Sequence, residues 1–178
     1  MHIFEVFFKK IDRDILFFIQ RHRPSFLRRM FLYLTYSGMG QSWWAVALIL
    51  VILNLLGIRF ISQQASFFKA FLAPLLAWIL SSALKRVFSR LRPSAADESF
   101  ITLVKNPTCG SFPSGHTASS FSFFFALLLI HHPAAPWVGV WAGLVSYSRL
   151  YLGVHYPSDV MGGIVIGFLS ALIATHFV

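Results

Sequence analysis

The chain has 178 residues, is 57% hydrophobic and carries a formal charge of +9, with a mean hydropathy of +0.69. A soluble domain of this size has no interior large enough for that much apolar surface, so the composition excludes an ordinary soluble protein and indicates one compact integral membrane domain. The cations cluster in the first 29 residues and between Lys85 and Arg92, beside apolar segments; that placement suits anionic lipid headgroups and excludes a nucleic-acid signature, while the lone Cys109 rules out an internal disulfide.

Residues 1–36 mix Phe, Ile and Leu with Lys9, Lys10, Arg13, Arg21, Arg23, Arg28 and Arg29. Phe4, Phe7, Phe8, Ile11, Ile15, Phe18 and Ile19 recur at helical spacing with charges between them, the pattern of an amphipathic helix lying in the membrane interface. Pro24 breaks that helix, and a second short one is expected after it. Charges interrupt the apolar stretch and no small-residue cleavage site follows, so the segment does not read as a cleavable signal. Asp12-Arg13-Asp14 has the look of paired phosphatase aspartates, but without a strand, a following Thr or a magnesium site it reads as solvated helix face.

Beyond residue 36, long apolar stretches, uncharged from Met30 to Ile58 and from Val160 to Val178, predict membrane helices over about 41–58, 66–84, 114–131, 136–151 and 158–177, since a bilayer core requires about 20 apolar residues. Each must satisfy its own backbone hydrogen bonds in hydrocarbon. The expected fold is an all-α integral membrane bundle of five to six spans, divided into an amphipathic interfacial segment, 1–36, and a transmembrane unit, 37–178.

Three polar clusters stand at the ends of these apolar runs. The first, Lys85 to Pro93, holds Lys85, Arg86, Arg90 and Arg92 just after a span, with Lys85 and Arg92 two helical turns apart and Pro93 expected to stop the helix. Charge at the bilayer centre costs about 2.5–3.5 kcal/mol on insertion scales, so these residues sit at the interface or line a polar cavity. The second cluster, Pro113-Ser114-Gly115-His116, runs into a long apolar helix. Its free N–H groups and dipole favour a bound anion, with a Ser114 hydroxyl, close backbone approach at Gly115 and His116 on the first turn.

The third cluster is Ser148-Arg149-x5-His155-x3-Asp159, and Asp159 is the only acid after Glu98. A juxtamembrane acid demands a partner, and His155 four residues earlier is the natural one. A carboxylate on one imidazole nitrogen fixes the tautomer and raises the basicity of the other. Two histidines with Lys85, Arg92 and Arg149 suit cleavage of a phosphate ester: one His attacks phosphorus, the other protonates the leaving oxygen, and the cations hold the non-bridging oxygens without a metal. His131-His132 precede Pro133 in a loop at the opposite membrane side, and with His176 they read as interfacial. Cys109 lacks the Arg that a cysteine phosphatase loop carries six residues later, because position 115 is Gly.

Taken in order, K-x6-R-P, P-S-G-H and S-R-x5-H-x3-D over residues 85–159 resemble the type 2 phosphatidic acid phosphatase family. The resemblance implies a phosphohistidine on His155, oriented by Asp159, with His116 as general acid; Lys85, Arg92, Arg149, Ser114 and the Gly115 backbone would clamp the phosphoryl group, without metal or cofactor. It implies a phosphorylated membrane lipid as substrate and a bacterial inner-membrane enzyme whose site faces the periplasm. No obligate protein partner is evident. Phosphatidic acid, phosphatidylglycerophosphate, undecaprenyl diphosphate and lipid A phosphates all fit the motifs, as does phosphotransfer to a lipid; a phospholipid transporter is the competing class. The cations Arg21, Arg23, Arg28 and Arg29 are expected to hold a polyanionic headgroup.

Overall fold

A computed structural model describes residues 2–38, 64–105 and 109–177, with isolated positions between 42 and 56. Apart from those positions, the span expected at 41–58 lies outside the described residues. Every regular element among the described residues is helical: α1 (His2–His22), a 3-10 turn (Ser25–Leu27), α2 (Arg28–Ser37), α3 (Gln64–Phe88), α4 (Pro93–Ala96), α5 (Gly115–Leu129), α6 (Ala135–Tyr151) and α7 (Pro157–His176). Lys69–Ala96 and Pro157–His176 are long and apolar enough to cross a membrane, and Gly115–Leu129 is a shorter apolar helix.

Small residues set how closely these helices pack. Ala70, Ala73, Ala126, Ala135, Ala171 and Ala174 form one buried cluster with Leu127, so α3, α5, α6 and α7 approach along nearly flat faces. Gly163 and Gly167, four residues apart on α7, bring it against α5: a Cβ at Gly163 would lie 2.7 Å from the Ser114 carbonyl oxygen, and one at Gly167 would lie 2.8 Å from that of Ala118. Such small-x-x-x-small faces pack helices where lipid supplies no hydrophobic drive between them.

The first cluster differs from its sequence reading. α3 carries Lys85 and Arg86 in its last turn and ends at Phe88, where Ser89 takes a φ of 44°. Pro93 therefore stops nothing; it opens α4, the position where its missing N–H is harmless. Lys85 and Arg92 do not share a helical face, and the loop folds back to bring them together.

α1 and α2 close the end of the bundle that carries the polar clusters. Leu16 packs with Phe100 and Tyr156, and Phe31 packs with Tyr151, Leu152 and Val154. The opposite face of α1 leaves Ile11, Ile15 and Phe18 exposed. Polar ties hold this cover down: Arg13 pairs with Asp97 at 2.8 Å, and the Ile101 N–H donates to Gln20 Oε1 at 3.1 Å. Arg23 and Arg28 also serve here. Arg23 donates to the carbonyls of Tyr151 (2.9 Å) and Ile101 (3.2 Å), and Arg28 to that of Leu103 (3.1 Å).

The solvated-face reading of Asp12 is incorrect. Its side chain is buried, 3% exposed, and its carboxylate accepts from Arg90 Nη2 at 2.7 Å and from the Ser158 N–H at 2.8 Å. Those partners offset the cost of taking an acid out of water.

Candidate active site

The site forms where α3 and α6 end and α5 and α7 begin. His155 lies in the short turn between α6 and α7, 1% exposed, and Asp159 is fully buried on the first turn of α7. Imidazole Nδ1 lies 3.3 Å from Asp159 Oδ2, and the Tyr156 N–H donates to that oxygen at 2.9 Å. The carboxylate thereby satisfies one free donor of the helix start and sits at the positive end of its dipole. An ionised Asp159 fixes the proton on Nδ1 and leaves Nε2 with its lone pair. Nε2 in turn faces Arg92 Nη1 at 3.4 Å.

Arg92 is 4% exposed and held by three carbonyls: Nε donates to Cys109 O at 3.1 Å, Nη1 to Val154 O at 2.8 Å and Nη2 to Gly110 O at 3.4 Å. Lys85 Nζ reaches the same Gly110 oxygen at 3.4 Å. The loop that provides this oxygen is pinned by Ser111, whose N–H donates to Arg90 O at 2.9 Å and whose hydroxyl donates to Leu91 O at 3.1 Å.

From α6 comes Arg149, 5% exposed, with Nη1 donating to the Thr35 hydroxyl of α2 and Nε buried without a partner. A buried guanidinium donor left open beside other cations is suited to an anion oxygen. From α5 come Ser114 and Gly115 at the helix start and His116 behind them. The Ser114 N–H donates to Asp159 O at 2.9 Å, which fastens the start of α5 to the start of α7. A Cβ on Gly115 would sit 3.3 Å from Ser81 Oγ and 3.9 Å from Lys85 Cε. His116 is within the electrostatic reach of Arg149, His155, Lys85 and Arg92.

All eight candidate residues thus converge on one end of the bundle. Burial, and then the charges of Arg149, Arg92 and Lys85, hold His155 well below the usual imidazole range. The pair His131-His132 lies beyond the far end of α5, about 22 Å away at 1.5 Å per residue. Three residues around the site escape a motif-based reading: Asp12, Arg90 and Thr35. The signal for Thr35 is its place four residues after buried Phe31 on α2; for Asp12, its place four before buried Leu16 on α1.

A helical bundle that gathers cations, two histidines and an acid around one helix start defines a phosphate-handling membrane protein class. Residues 66–178 match the PAP2 superfamily, and the chain belongs to that family. The lipid A 4'-phosphatase of Bacteroides thetaiotaomicron is 35% identical over 133 residues, covering 70% of this chain and 52% of that protein. The chain spans about half the length of several curated relatives it matches. Two solved structures are similar at 27% identity. Aquifex aeolicus LpxE has a TM-score of 0.74, covering 90% of this chain and 92% of that one. The transmembrane PAP2-type phosphatidylglycerolphosphate phosphatase from Bacillus subtilis has a TM-score of 0.71, covering 95% and 85%.

Proposed function

We propose that the protein is a lipid phosphate phosphatase that removes the terminal phosphate of an amphiphile whose tail stays in the bilayer. The observation that carries this reading is the His155 imidazole, buried between Asp159 and Arg92 with Nε2 turned toward the cations. In the proposed reaction Nε2 attacks phosphorus, the bond from phosphorus to the lipid oxygen breaks, and His116 gives that oxygen a proton. Water, deprotonated by His116, then attacks the phosphohistidine; the phosphorus–nitrogen bond breaks and inorganic phosphate leaves with His155 restored. Lys85, Arg92 and the open Arg149 Nε hold the non-bridging oxygens, with Ser114 and the Gly115 N–H completing the cradle. Asp159 keeps Nδ1 protonated and stabilises the cationic imidazole that forms.

The substrate is a lipid phosphate: a lipid A phosphate, phosphatidylglycerophosphate or undecaprenyl diphosphate, of the kind the relatives' names denote, or phosphatidic acid. The protein is a multi-pass protein of five to six spans in a bacterial inner membrane, with its site on the periplasmic side and residues 1–36 in the interface. Cations devoted to substrate are poor markers for the positive-inside rule, so the basic amino-terminal segment does not oppose this orientation.

The test is phosphate release by purified protein in detergent with EDTA, across four lipid phosphates, beside His155→Ala. Release by the wild type alone supports histidine catalysis without metal. Phosphate recovered on an acceptor lipid would make the protein a transferase, and no reaction with any lipid would overturn the enzyme reading. The exposed Cys109, 3.6 Å from Arg92, reports orientation: a membrane-impermeant thiol reagent should label it in intact spheroplasts.

A further inference from the structure

Arg90 joins two carboxylates from opposite ends of the chain. Its Nη1 donates to Asp159 Oδ1 at 2.7 Å and to Ser158 Oγ at 2.6 Å, while Nη2 donates to Asp12 Oδ2 at 2.7 Å. The guanidinium plane lies over the Tyr156 ring, 4.3 Å from its centre. Asp12 also accepts from the Ser158 N–H at 2.8 Å, so it caps the start of α7 from outside, one residue from Asp159. A planar fork fixed at both prongs cannot rotate without losing a charge-assisted bond.

From this geometry we propose that Asp12 is a positioning residue for catalysis: through Arg90 it holds Asp159, and thereby His155, making the docking of α1 a requirement of the reaction. The proposal rests on the phosphatase reading above. Asp12 never touches the reacting atoms. Its two effects are to keep the Arg90 fork from turning wholly onto Asp159, and to offset a fourth positive charge beside the imidazole. Because α1 turns Ile11, Ile15 and Phe18 outward, the helix that presents Asp12 to the site presents an apolar stripe on its other side.

The charged and titratable groups around His155 are Asp159 and Tyr156 beside it, Arg149 of α6, Lys85 of α3, Arg92 after it, His116 of α5, and Arg90 with Asp12 of α1. Removing the Asp12 charge leaves Arg90 to share the single carboxylate of Asp159 with His155, which disfavours a cationic imidazole and moves its titration to lower pH.

Asp12→Asn separates this role from simple capping, because Oδ1 remains to accept the Ser158 N–H. The expected result is a kcat about tenfold lower, KM within about twofold, and an acid limb of kcat/KM at lower pH. In an Arg90→Gln background Asp12→Asn should cost nothing further, and Arg90→Lys should recover part of the rate. Wild-type kcat and pH profile in Asp12→Asn, or a loss that multiplies with that of Arg90→Gln, overturns the proposal. Should the wild type itself release no phosphate, the phosphatase reading fails. The positioning role is then decided by NMR of 15N-histidine-labelled protein, with His155→Ala assigning the signal. A His155 titration at lower pH in Asp12→Asn supports it, and an unmoved titration overturns it.

Discussion

The Ser114 carbonyl oxygen occupies the space a side chain on Gly163 would need, 2.7 Å from where its Cβ would be, with Thr117 Cβ at 2.8 Å. Backbone packing between α5 and α7 therefore fixes the proposed phosphate cradle, because Ser114 also donates its N–H to Asp159 O. Gly163→Ala must push the two helix starts apart. Overpacking of this kind costs about 1–3 kcal/mol, and here it also displaces Ser114. The expected outcome is a lower thermal midpoint together with a rate loss greater than the folded fraction explains. Gly143, with nothing within 4 Å of its Cβ, is the control: Gly143→Ala should leave both unchanged.

Thr35 gives Arg149 its one hydrogen-bonded partner among the described residues, across the α2–α6 contact. Hydrogen bonds to charged groups contribute about 1.5–3 kcal/mol. Thr35→Val keeps the shape and removes the acceptor, so Arg149 should lose its aim more than the fold loses stability. Phosphate-release kinetics should show a rise in KM and a fall in kcat/KM, with Thr35→Ser close to the wild type. Equal losses in the Val and Ser variants would mean that the methyl contact matters and the hydroxyl does not.

The amino-terminal cations divide into two kinds. Arg23 and Arg28, the latter exposed, donate to backbone carbonyls of Tyr151, Ile101 and Leu103, whereas Arg21 and Arg29 are exposed with no such tie among the described residues. Arg23→Ala should lower the thermal midpoint and leave the relative turnover of the four lipid phosphates unchanged. A change in headgroup preference should appear with Arg21→Ala and Arg29→Ala. Measuring turnover ratios beside melting curves checks both halves. A preference altered by Arg23→Ala at unchanged stability would return that arginine to the headgroup.

The meeting of the motif residues at one end of the bundle is legible because each stands at the end of an apolar run, where polar groups have few other uses; their phosphate chemistry is the proposal. Helices α5, α6 and α7 fall within two residues of the ranges read from hydropathy, since a long apolar run has one stable form in hydrocarbon. The ends of charged segments were not legible. Two-turn spacing predicts one helical face for Lys85 and Arg92, but the backbone at Ser89 leaves the helix, and nothing in hydropathy marks such a turn. Asp12 was read as solvated because acids on a basic amphipathic helix usually are. Its burial depends on Arg90, 78 residues away, a pairing that local pattern does not encode. The tight meeting of Gly163 with Ser114 is likewise a tertiary fact, although two glycines four apart on an apolar helix were its available sign.

His155 supplies the pH dependence. Burial above all, with Arg149, Arg92 and Lys85 around it, holds the imidazole well below the usual range. In the proposed mechanism the attacking form is the neutral one, so an ordinary histidine would lose activity as pH fell through about 6.5. Here the acid limb of kcat/KM that His155 sets should lie below that value rather than at it. Stability declines in the same direction but from a higher pH. The unfolded chain takes up a proton near the ordinary value that the folded site refuses, so the unfolding free energy declines as pH drops below about 6.5, by up to about 1.4 kcal/mol per unit for this group. That decline ends once the folded pKa is passed. His155→Gln cannot titrate and should flatten its share of the slope, which chemical denaturation at pH 7.5, 6.5 and 5.5 would measure. Inorganic phosphate should oppose the trend in the wild type, because a bound anion offsets the three cations and restores the basicity of the ring. Parallel slopes in the two proteins, or activity lost with a midpoint near 6.5, would show that the ring titrates like a solvent-exposed histidine and that the surrounding cations do not set its charge.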